Sequence, residues 1–324
     1  MTPEPRTIAS QILIALDRDY AGMPECDDHA SKAWHKLFRK ADELGLLDDD
    51  LLEAMMRERL ARLGDANLQL MRLDPDADPM PEPAACTFEA LPQAAVLTVG
   101  NLDSTEAADL LAKHAEEARA AKTLVIDVRT CTGGMEQAAY PLLDWLFDEP
   151  TTLDELIGTQ HVLTNYSIGA CKARIAQFTQ LKAMLEAQGA GDTTAWLDQG
   201  LQAAQANMGR GFVEEQLAAA QLDVAAAPCD QRVFLLTSGR TADAAEWLAS
   251  VAKKSGRTTQ VGQATRGTLD YSNPVTLTFG DRFVFTYPMS KTVEATQGRG
   301  VRTTGIVPDV VCPADEALEQ ALEA

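Results

Sequence analysis

Positive charge is scarce in this 324-residue chain: 28 Lys and Arg stand against 48 Asp and Glu, a formal net charge of −20. A surface that acidic repels phosphate backbones, which excludes nucleic acid as a ready partner. Cysteine occurs six times, but Cys26, Cys86, Cys131, Cys171, Cys229 and Cys312 are scattered and form no CxxC pair. That spacing fits neither a zinc ribbon nor a dense disulfide framework, and no metal or cofactor is expected. Long apolar runs are missing as well. None approaches the roughly 20 residues needed to span a bilayer, so no membrane partner is expected. The polar start, MTPEPRTIAS, has no apolar signal-peptide core behind it. A cytoplasmic globular protein is the expectation. Nothing in the composition fixes an oligomeric state.

What is present falls into blocks. Residues 1–73 read as a helical subdomain. In DDDLLEAMMRERLARLGD, the residues Leu52, Met55, Met56, Leu60 and Leu63 share one helical face, Asp48 to Asp50 cap the start, and Gly64 ends it. Earlier helices are expected over about 8–17 and 31–44. Residues 74–93, rich in Pro and Asp, read as a linker. From residue 94 strands and helices alternate. AAVLTV and TLVIDV (123–128) are continuous apolar strands. A helix capped by Asp103, with Glu106 at its third position, is expected between them, and another from about Met135 to Leu146. Residues 150–228 are rich in Ala, Gln and Leu and read as a mostly helical insertion, with a stripe of Ile175, Phe178, Leu181 and Leu185 as core. RVFLL (232–236) resumes the alternation. A helix from Thr241, the strand TTQVG, a hairpin turning at Gly280-Asp281 and a closing helix follow. Buried strands separated by helices indicate an α/β core, 94–149 plus 229–324, with its sheet covered on both faces.

Five segments carry chemistry in order: LARLGDANLQL, LVIDVRTCTGG, VFLLTSGRTADAAEWLA, VGQATRGTLDYSNP with YPMSKT, and GIVPDVV. Together they resemble the tail-specific, or C-terminal processing, serine peptidases. The nucleophile turn of that family usually reads Thr-Ala-Ser-Ala-Ala-Glu. The N-terminal segment resembles the Leu-Gly-Asp-x-His pattern of its tricorn-like branch. The resemblance implies a crotonase-like peptidase core with a helical start and a helical insertion. It leaves no room for a PDZ domain between Leu70 and Ala94.

The family's chemistry needs a displayed hydroxyl, a base and amide donors for an oxyanion. The resemblance puts the nucleophile at Asp243. An acid at a helix start is favoured by the macrodipole, which would hold its pKa low. A carboxylate attacking an amide would also form a high-energy anhydride. The base of the lysine-using branch aligns with Thr268, and that of the tricorn-like branch with Asn67. The oxyanion amides would be those of Gly133, Gly134 and Ala244, and the Asp243 carboxylate is placed to fold onto them. Ser238 and Thr241 precede the turn and read as caps. Cys131, in the glycine loop, is an alternative nucleophile without a placed base. His29, His35, His114 and His161 match neither base position, and His114 reads as a solvated mid-helix residue. Asp127/Arg129 and Glu246/Arg266 read as structural ion pairs.

Three functions follow as expectations. The first is a pseudopeptidase that binds peptide or protein. The second is a working serine-type endopeptidase with an unorthodox site. The third is a crotonase-like acyl-transforming enzyme, for which no acyl-CoA signature is evident.

Overall fold

The computed structural model describes residues 3–25, 31–74, 84–189, 194–227 and 231–324. Cys26, His29, Cys229 and the middle of the expected 74–93 linker lie outside the described residues. Along the chain come α1 (Pro5–Arg18), α2 (Ser31–Glu43), α3 (Asp49–Leu63), β1 (Gln69–Arg72), β2 (Thr87–Ala90) and β3 (Ala94–Thr98). Then follow α4 (Glu106–Lys113), α5 (Ala115–Ala120), β4 (Thr123–Asp127), α6 (Glu136–Leu146), β5 (Thr151–Thr152), α7 (Leu153–Ile157) and β6 (Gln160–Tyr166). Next are α8 (Ile168–Ala187), α9 (Ala195–Asn207), β7 (Gly211–Leu217), β8 (Asp223–Val224), β9 (Arg232–Thr237) and α10 (Ala244–Ala252). The chain closes with β10 (Thr258–Gly262), β11 (Tyr271–Phe279), β12 (Phe283–Thr292), α11 (Val293–Thr296), β13 (Val310–Val311) and α12 (Ala317–Glu323). These elements form two compact units. One gathers Met1–Asp78, His161–Gln216 and Asp270–Gly300, and the other Pro79–Gln160, Leu217–Leu269 and Val301–Ala324.

In the first unit α3 is bounded as its sequence dictates. The Asp48 carboxylate accepts from the Leu51 amide at 2.9 Å, and Gly64 closes the helix at φ +66°. Leu52, Met56, Leu60 and Leu63 are buried, while Met55 is half-buried. They join Ile8, Ile12, Leu16, Phe283 and Phe285 in one apolar cluster. Each such side chain contributes about 1.5–3 kcal/mol by leaving water. The sheet has the order β1-β12-β6-β7, with β11 also on β12, and the expected hairpin is present with Phe279 opposite Phe283. The 150–228 segment, expected to be mostly helical, also carries β5, β6, β7 and β8. Strand β7 reads GFVEEQL, whose half-exposed alternation is easily taken for polar helix. The core stripe of α8 is also rotated from expectation: Ala170, Cys171, Arg174 and Phe178 are buried, not Leu181 or Leu185.

The second unit is built on a six-stranded sheet, β13-β10-β9-β4-β3-β2, parallel throughout except for the antiparallel edge β2. Leu97, Leu124, Ile126, Val233 and Leu235 face one apolar cluster. The intervening Val96, Val125, Phe234 and Leu236 face another. Both faces are therefore covered, as the continuous apolar runs require. The helix expected to run from Asp103 to Ala121 begins instead at Glu106 and breaks at His114. His114 is not simply solvated. Its ring stacks on Phe88, centroids 4.6 Å apart, and it meets Glu117 at 3.4 Å.

Candidate active site

Strands β4 and β9 are parallel neighbours, with Asp127 opposite Leu236. The loops leaving their carboxyl ends, 128–135 and 238–243, therefore emerge side by side, where open α/β sheets place ligands. Side chains expected to cap a helix stitch these loops together instead. Ser238 Oγ donates to the Arg129 carbonyl at 2.6 Å, and Thr241 Oγ1 donates to the Val128 carbonyl at 2.9 Å. The Ala242 amide reaches the Cys131 carbonyl at 3.2 Å. The Asp127–Arg129 pair is present, with Nη2 2.6 Å from Oδ2.

At the end of the second loop Asp243 holds φ +52° and ψ −123° and makes no side-chain cap bond. A non-glycine residue with positive φ between a strand and a helix is the geometry that displays a nucleophile. The side chain turns toward the glycine loop: a Cβ placed on Gly133 would lie 3.3 Å from Asp243 Oδ2. The Gly134 amide donates to the carboxyl. Gly134 has φ +128°, and a Cβ there would strike the Leu102 carbonyl carbon at 2.3 Å, so only glycine presents its amide this way. Ala244, the third expected donor, is buried and opens α10.

The expected low pKa of Asp243 is corrected. Although the residue is exposed, the surrounding protein desolvates its carboxyl and pushes the pKa up. The Gly134 hydrogen bond opposes this and the charge of Glu246 adds to it. A helix dipole acting through one turn is the smaller influence. Glu136, the first residue of α6, also titrates high, by desolvation and then by the charge of Asp243. The charge of Asp243 therefore reaches Glu136. Sequence reasoning missed Glu136; its only signal was an acid two residues beyond the glycine pair.

Thr268 is fully engaged. Its hydroxyl donates to Glu246 Oε2 at 2.5 Å and accepts from the Asp243 amide at 2.7 Å. Glu246, with no exposed surface, also accepts from the Thr268 amide (2.6 Å), the Gly267 amide (2.7 Å) and the Thr265 hydroxyl (2.5 Å). The expected Glu246/Arg266 pair does not form among the described residues. Arg266 is exposed, and its amide bonds the Thr241 carbonyl at 2.9 Å. Cys131 is free and fully buried; burial pushes its thiol up to about 11, and Sγ lies 3.5 Å from the Gly133 carbonyl. Such a thiol is a poor nucleophile near neutral pH.

The structure thus brings Asp243, Gly133, Gly134, Ala244, Thr268 and Cys131 into one unit. Asn67 belongs to the other. There its amide N–H donates to Asp65 Oδ1 at 2.9 Å, and Nδ2 to the Tyr271 carbonyl at 3.4 Å. His35 and His161 pair with Asp17 and Glu214 at 2.7 and 2.8 Å. Among the described residues no group of three or more His, Cys, Asp or Glu could hold a metal ion, and no helix is long and apolar enough to cross a membrane.

The fold is similar to a candidate peptidase from Parabacteroides merdae, at 13% identity over 99% of this chain and 96% of that one, with a TM-score of 0.59. It is also similar to a lipoprotein from Streptococcus agalactiae, at 14% identity over 100% and 96% of the two chains, with a TM-score of 0.53. The model of peptidase family S41 matches residues 93–312, the stretch that carries both loops and the Glu246 clamp. The resemblance carried by the motifs therefore holds at the level of the family: the chain belongs to peptidase family S41.

Proposed function

We propose that this chain is a pseudopeptidase, a cytoplasmic S41-family protein that binds peptide or protein and has lost most or all hydrolysis. The observation that carries this reading is the Asp243 carboxyl lying against Gly133 and taking the Gly134 amide. The oxyanion position is occupied by the chain itself, and no hydroxyl stands where the nucleophile should be. The two base positions support it. Thr268 has its hydroxyl donated to Glu246, and Asn67 carries an amide that takes no proton. The four described free cysteines are in keeping with a reducing compartment.

One observation favours a second reading, an active enzyme with an unorthodox site. The charge of Asp243 raises the titration of Glu136, whose carboxyl is chiefly desolvated, and a carboxyl kept protonated in this way can serve as a general acid. A single assay separates the two. The purified chain is incubated with an unstructured polypeptide at about pH 5 and about pH 7.5, and separately with a fluorophosphonate probe. No cleavage and no labelling is the expected result, and Asp243→Ser alone is expected to restore neither. Cleavage in acid that disappears in Glu136→Gln would replace this reading with the second.

A further inference from the structure

In the first unit, apart from the Asp243 loops, two helix faces meet around a cleft. Arg6, Ala9, Ser10 and Leu13 of α1 stand at i, i+3, i+4 and i+7, and His35, Phe38 and Arg39 of α2 repeat the first three of those spacings. Each set therefore lies along one side of its helix. Together with Leu47, in the connection to α3, they line a cavity of about 230 Å³. By liquid volume that is the space of about seven or eight waters.

The lining divides by chemistry. Ala9, Leu13 and Phe38 are buried members of the apolar cluster and form the floor. Arg6 and Arg39 stand at the rim, their side chains 69% and 66% exposed. Ser10 is exposed as well, and the His35 ring is fixed by Asp17, with Nε2 2.7 Å from Oδ2. No acid is among the lining residues, although the chain carries a net charge of −20. The carboxylates that pair with the rim lie outside the lining: Asp42 is 3.2 Å from Arg6 and Glu43 is 3.8 Å from Arg39. Exposed pairs of this kind hold their partners weakly, and a guanidinium has donors left for a second carboxylate. Two partly compensated cations above an apolar floor suit a monoanion with an apolar tail better than a polyanion.

We propose that the cleft between α1 and α2 binds a small amphipathic carboxylate, a free short-chain acid. Its tail lies on Ala9, Leu13 and Phe38, and its head meets Arg6 and Arg39. The volume of the cleft selects a short chain, and the rim selects the ionised form of the acid.

The test uses the full chain and isothermal titration near neutral pH. Hexanoate should bind saturably at a single site. Acetate, which lacks the tail, and hexanol, which lacks the charge, should each bind at least about tenfold more weakly. Arg6→Gln and Arg39→Gln, both at exposed positions, should each weaken hexanoate about fivefold. Ser10→Trp fills the cleft from an exposed helix position and should abolish binding. Asp243→Ser should leave binding unchanged, so this site stands or falls apart from the peptidase reading. No saturable binding of hexanoate to the parent, equal binding of hexanol, or parental affinity in the Arg6→Gln/Arg39→Gln double variant overturns the site. So does binding of a dipeptide ending in leucine in place of hexanoate, which would make a peptide end the occupant. The double variant decides the matter even where Ser10→Trp does not fold.

Discussion

Asp243 combines a strained backbone and a desolvated carboxyl in one residue. Its backbone lies in a region costing about 1–3 kcal/mol for a non-glycine residue, held there because its amide is pinned by Thr268. Its carboxyl titrates above the usual range chiefly through desolvation. The sign of the pH dependence follows. A group with a raised folded-state pKa is harder to ionise in the native state, so its contribution to stability is present below the unfolded-state pKa and lost as pH rises through the folded value. Asp243→Asn keeps the shape and an acceptor for Gly134 but cannot ionise. It should exceed the parent in stability at neutral pH, with the gap closing as pH falls to about 4, measured as the urea midpoint across that range. A gap that widens on acidification would contradict the desolvation account. The place of Asp243 was legible because flanking motifs located it. The direction of its pKa was not, because a helix start is visible in sequence and the protein packed around a carboxyl is not. Arg174 was hidden for a related reason, since an apolar stripe read from residue types passes over a buried cation.

At the level of elements, the parallel strands were legible because both faces of the sheet are covered and each strand is a continuous apolar run. The short edge strands β2 and β8, and the half-exposed β7, lack such runs and were read as linker or helix. The clamp joining α10 to the loop after β10 was invisible in sequence, because it depends on Glu246 accepting four donors from Thr265, Gly267 and Thr268. Glu246→Gln turns part of that acceptor into a donor facing donors. It should destabilise the protein by about 2–4 kcal/mol. Thr268→Val, which removes one hydroxyl, should cost less, about 1–3 kcal/mol. Denaturant unfolding of both variants checks the order. Equal costs, or a larger one for Thr268→Val, would mean the carboxylate is not the hub.

For the whole molecule, a formal charge of −20 means that like charges repel one another in the compact state. Raising NaCl from about 0.02 to about 0.5 M shortens the screening length several-fold. The unfolding midpoint should therefore rise with salt, and a fall would show that surface ion pairs outweigh the net repulsion. On the proposed reading, the structure also bears on how hydrolysis would be gained. The hydroxyl of Thr268 accepts from the amide of the residue at the turn and donates to Glu246, so Thr268→Lys would remove both hydrogen bonds while installing an amine. A serine alone would lack its proton acceptor, and a lysine alone would loosen the platform that displays it. Each single step toward hydrolysis is thus uphill on that reading, and the two positions hold each other in place like a ratchet.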